Sequence, residues 1–95
     1  MSKRTSYIDR MEKQLKEWDK ELNKLLMEVS RKKDDIKIEY RGVQQKIEAR
    51  RADALKHLND LKDSGEDSWE ELKNGFENSW KELRSSIERA KSKFK

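Results

Sequence analysis

Ser30-Arg31-Lys32-Lys33-Asp34-Asp35 decides the fold of this chain. The segment separates two apolar stripes and itself holds no apolar residue, no Gly and no Pro. Read as helix, it joins the stripes into one long rod. Read as a turn, it makes a monomeric three-helix bundle. With no Gly or Pro present, the sequence favours a continuous helix whose seam is wet at this point. The bundle, turning at residues 30–35, is the alternative.

Upstream, Ile8, Met11, Leu15, Trp18, Leu22, Leu25 and Val29 alternate at spacings of three and four, the heptad pattern of a coiled-coil seam. Downstream, Ile36, Tyr40, Val43, Ile47, Ala54, Leu58 and Leu61 follow a longer rhythm that repeats every eleven residues. The same period governs the C-terminal third. There Ser68-Trp69-Glu70-Glu71-Leu72 recurs as Ser79-Trp80-Lys81-Glu82-Leu83, and Phe76 recurs as Ile87. Eleven residues are three helical turns, so Trp69, Leu72, Phe76, Trp80, Leu83 and Ile87 line one narrow face, with Ala90 and Phe94 beyond them. Two helices of equal period stay in register, so residues 36–61 pair with 69–94. This pairing places Trp69 near Leu58 and Leu61, and Trp80 near Ile47.

The break between these two stripes lies at Asp63-Ser64-Gly65-Glu66-Asp67. Gly65 suits the left-handed residue that ends a helix, and Ser68 with Glu71 has the spacing of a capping box. The expected architecture is all-α: an antiparallel hairpin with helix one over about 4–63, a loop at 64–67 and helix two over about 68–94, in a single domain. Helix two is half as long as helix one, so the stripe from Ile8 to Val29 would face water. Its seven side chains represent about 10–20 kcal/mol of burial. This predicts self-association, with an antiparallel dimer favoured. A dyad near residues 33 and 34 sets Trp18 across from Ala49, Leu25 across from Gly42 and Val29 across from Ile38. Ile38, Gly42, Gln45, Ala49 and Ala52 themselves share a second face, roughly opposite the stripe that begins at Ile36.

Of 95 residues, 46% are charged and only 32% apolar, which leaves too little for a broad globular core. Lysine and arginine exceed acids by four, but the excess is dispersed: the last 32 residues carry seven of each sign. The densest basic spots, Lys32/Lys33 and Arg50/Arg51, are followed by acids, so nucleic acid is an unfavoured partner. There is no Cys, no apolar run of membrane-spanning length and no apolar signal core after Met1, which points to a soluble, cytoplasmic protein. Isolated glycines form no phosphate-binding loop. His57, the single histidine, has Asp53 and Asp60 near it on the same helix, and reads as an exposed residue in a charged face rather than a metal ligand. No catalytic, cofactor or metal residues are assigned, and no enzyme is expected.

Tyr7-Ile8 through Leu15, Glu17-Trp18-Asp19 and Leu22, followed by the doubled Ser-Trp-x-Glu-Leu repeat, resemble small bacterial coiled-coil proteins of unknown or stress-response function. That resemblance implies an all-helical cytoplasmic protein and supplies no site residues. The eleven-residue period is also similar to that of exchangeable apolipoproteins and desiccation proteins. The functional expectation is a structural or interaction module without enzymatic activity. One alternative is an amphipathic helix, carrying Trp69 and Trp80, on a membrane surface. A weak nucleic-acid binder is the second.

Overall fold

The computed structural model describes residues 3–95, which form three helices: α1, Lys3–Val29; α2, Asp34–Asp63; and α3, Glu66–Phe94. They run up, down and up. Tyr7 of α1 meets Trp69 near the start of α3, and Tyr40 of α2 meets Phe94 at the end of α3. The body measures 51 × 21 × 17 Å.

The continuous helix expected over 4–63, and with it the two-helix hairpin, is therefore wrong, and the three-helix alternative fits. Helix α1 stops at Val29, and the chain then tightens through Arg31 N–H to Glu28 O (3.3 Å) and Lys32 N–H to Val29 O (2.9 Å). Lys33 then takes an extended conformation (φ −63°, ψ 157°) and starts α2. No described residue has positive φ, so this turn needs no glycine. A few helical hydrogen bonds are lost here. Folding back buries Leu15, Trp18, Leu25 and Val29 within the same chain, which releases burial energy of roughly 1.5–3 kcal/mol per side chain. The rod expected of a helix over residues 4–63, about 90 Å at the helical rise, is replaced by a body 51 Å long.

The second connection is shorter than expected, only Ser64 and Gly65. Gly65 is extended (φ −82°, ψ 171°) rather than left-handed, and it stands at the N-cap of α3 with no side-chain cap. The capping box expected from Ser68 and Glu71 is therefore not at the helix start. Ser64 closes α2 instead: its N–H and its Oγ both donate to Leu61 O, at 3.3 and 2.8 Å. Acids open α2 and α3, and lysines close both, in accord with the helix dipole.

Backbones approach most closely between α2 and α3, where small residues face inward. Ala54 and Ala90 are buried, Ser79 Oγ donates to Asp53 Oδ2 at 2.9 Å, and Gly75 lies beneath the His57 ring. Helix α1 stands farther off and fills the gap with bulk. Trp18 lies 4.7 Å from Trp80 between ring centroids, and Tyr7 meets Trp69 and Phe76 edge to face at 5.8 and 6.1 Å. Trp69 thus meets a ring of α1, and Trp80 meets one ring of α1 and Phe76 of its own helix.

A cation fastens each end of the bundle. Arg4 Nη2 donates to the carbonyl oxygen of Ser64 and, at 3.2 Å, to its Oγ, while the guanidinium lies 4.9 Å over Trp69. At the far end, Lys32 Nζ donates to Phe94 O at 2.7 Å. Both cations sit on carbonyls at helix C-termini, where the dipole is negative.

Candidate interaction surface

All the residues expected to pair helices, and all those expected to drive self-association, lie in or against one core. Ile36, Val43, Trp69, Leu72 and Trp80 border it; Tyr40, Ile47, Leu58, Leu61, Phe76, Leu83 and Ile87 are buried in it. From α1, Leu15, Trp18, Leu25 and Val29 are buried, with Ile8, Met11 and Leu22 packed alongside. What fails is the premise of the dimer: the α1 stripe packs within the chain's own core, so it is not an open seam awaiting a copy. The aromatic face of α3 is likewise turned inward, and would reach a membrane surface only if the bundle opened.

Three residues of the dense basic spots, Lys32, Arg50 and Arg51, are also engaged internally. Arg51 donates Nε to Asp19 Oδ1 (2.9 Å) and Nη2 to Asp19 Oδ2 (2.8 Å), and this hydrogen-bonded pairing raises the pKa of the guanidinium. Arg50 donates to Glu82 at 2.7 Å, and Lys32 caps α3. Lys62 to Glu12 and Lys91 to Glu21, at 2.9 and 3.3 Å, complete bridges from α1 to its two neighbours. His57 Nε2 lies 3.7 Å from Asp53. Among the described residues no cluster of three potential metal ligands occurs, and no helix is long and apolar enough to cross a membrane.

On α2 the core leaves outside an uncharged helix face. Ile38, Gly42, Gln45, Ala49 and Ala52 are all exposed, Ile38 to 69%. The wheel of α2 explains this. Glu39, Arg50 and Asp53 mark the side toward α3, and Arg51 and Lys62 mark the side toward α1. The five residues fall opposite both. Folding α1 back thus brings it to α2 as sequence expected of a partner's N-terminal half, but on the flank of Tyr40, Ile47 and Arg51, not on the small-residue face.

Gly42 is the residue on this face that the fold does not account for. A Cβ built there meets nothing within 4 Å, whereas one at Gly75 touches His57 Nδ1 at 3.8 Å. An exposed glycine inside a helix costs about 0.5–1 kcal/mol relative to alanine. The bundle itself gains no packing in return. The sequence reading named this face but not its charged borders, Glu39, Arg41, Lys46 and Glu48. Their signal was heptad spacing around Ile38–Ala52.

No family model, curated protein or solved structure matches the chain.

Proposed function

We propose that this protein is a non-enzymatic interaction module of the cytoplasm, a small helical bundle that presents the outer face of α2 to a helical partner. The observation that carries this reading is the uncharged, exposed face from Ile38 to Ala52 in a chain that is 46% charged. The exposed residues that flank this face on α2, Glu39, Arg41, Lys46, Glu48 and Arg50, are all charged. A face with small side chains and an exposed Ile38 suits close helix packing, because backbones approach where side chains are short. The absence of cysteine accords with a reducing compartment.

Photo-cross-linking in the cells that make the protein tests this. A photoreactive residue at Ala49 is expected to give a discrete adduct. The same residue at Ser85, exposed on α3, is expected to give none. Equal, diffuse labelling at both positions would count against the reading.

A further inference from the structure

We infer that the partner for the outer face of α2 is a second copy of the same face, packed antiparallel with Gly42 opposite Gln45 of the other copy. This rests on the reading of that face as an interaction surface and adds the occupant, the direction and the register.

The charges bordering the face select the arrangement. Arg41 and Glu48 run along one edge, Glu39 and Lys46 along the other. Among the described residues no ion pair within the chain involves Arg41, Lys46 or Glu48. Glu39 alone is paired, with Lys93. Parallel packing of two such faces would set Arg41 against Lys46 and Glu48 against Asp53, like charges throughout. Antiparallel packing brings each edge against its own copy. With Gly42 opposite Gln45 and Ile38 opposite Ala49, Arg41 meets Glu48 and Glu39 meets Lys46, and twofold symmetry repeats both pairs. Sliding by one heptad in one direction sets Glu48 on Glu48, Lys46 on Lys46 and Glu39 on Asp53. Sliding in the other direction sets Arg41 on Arg41 and Glu39 on Glu39. One direction and one register remain in which Arg41, Glu48, Glu39 and Lys46 each face an opposite charge.

Packing agrees with charge. In this register the large exposed side chain, Ile38, lies over Ala49, and Gly42 makes room for Gln45. The glycine that the bundle does not need becomes the point of close approach. The mutual contact runs from Ile38 to Ala49, about 17 Å of helix, a small interface of the transient class, so the dimer is concentration-dependent.

The chain has no native cysteine, so single-cysteine variants report directly. Purified Ile38→Cys and Ala49→Cys, mixed and oxidised, should link 38 to 49 in preference to 38–38 or 49–49. In sedimentation equilibrium up to millimolar concentration, Arg41→Glu should weaken the dimer about tenfold, from two pairs turned repulsive. Arg41→Glu combined with Glu48→Arg should restore it. Circular dichroism should show all variants equally helical, because these positions are exposed. A monomer at every concentration, preferential 38–38 linkage, or a charge reversal without effect would overturn the self-pairing. The cellular adduct at Ala49 then separates the two claims. Twice the chain mass supports both, another mass overturns self-pairing while keeping the interaction surface, and no adduct overturns both.

Discussion

Trp18 of α1 and Trp80 of α3 lie 4.7 Å apart between ring centroids, with their planes tilted by 33°. Phe76 extends the stack, 5.2 Å from Trp80. This contact joins the two parallel helices of the bundle, which share no connection in sequence. In an extended first helix, residue 18 could not reach residue 80 of the same chain. The pair therefore reports directly on the fold-back at residues 30–33.

Truncating either ring tests it. Trp18→Ala should cost about 3–5 kcal/mol, the usual range for a buried tryptophan. Trp80→Ala, at a half-buried site, should fall at or below the lower end. The double mutant should be less damaged than the sum, with a coupling of about 0.5–1.5 kcal/mol expected of a stacked aromatic pair. Urea unfolding of the four proteins at equal, dilute concentration measures it, and strict additivity would contradict the contact.

Asp34→Pro separates the bundle from a continuous helix by sign. Asp34 is the first residue of α2, where a proline lacks only a hydrogen that has no helical partner. Lys33, with ψ at 157°, already holds the extended conformation that must precede proline. The substitution should leave stability unchanged or raise it by up to about 1 kcal/mol through the unfolded state. Inside a continuous helix it would cost about 3 kcal/mol or more. Thermal melts decide between these outcomes.

The apolar stripes were legible because periodicity survives folding: Leu15, Tyr40, Phe76 and Leu83 are buried where their spacing put them. The turn was not. Ser30–Lys33 bends with ordinary negative φ values, so it leaves no glycine or proline in the sequence. What decides it is energetic and non-local, the burial of Trp18 and Val29 against helices yet to come. Gly65 misled in the opposite way, since a residue able to adopt positive φ here does not. The cations that fasten the ends, Arg4 and Lys32, resemble any other surface charge until the carbonyls of Ser64 and Phe94 are placed beside them. The outer face of α2 was visible as spacing, but its meaning depended on knowing which side of the helix α1 would cover.

Gly42→Ala should stabilise the dilute monomer by about 0.5–1 kcal/mol, because the added methyl meets nothing and the helix loses its most flexible residue. Thermal unfolding at micromolar protein concentration shows it. A destabilised monomer would mean that the bundle itself requires glycine at this position.

Tyr7 provides a pH-dependent test of the α1–α3 contact. Burial, and then the neighbouring Glu77 carboxylate, push its pKa from 10.0 up to about 12. Its hydroxyl donates to Glu77 Oε1 at 3.4 Å, which a phenolate could not do. The folded state thus prefers the neutral ring, and the sign follows by linkage. The stabilisation from a raised pKa is fully present below pH 10 and is lost as pH rises toward 12. Phenolate absorbance should show Tyr7 ionising late. Tyr40, raised by its own burial and by Glu48, should also be late. The informative quantity is a difference between variants. Between pH 10 and 12 the urea midpoint of Tyr7→Phe should fall less steeply than that of the parent chain. Parallel slopes, or a Tyr7 that ionises as freely as an exposed tyrosine, would show that α1 does not close over Trp69 and Phe76.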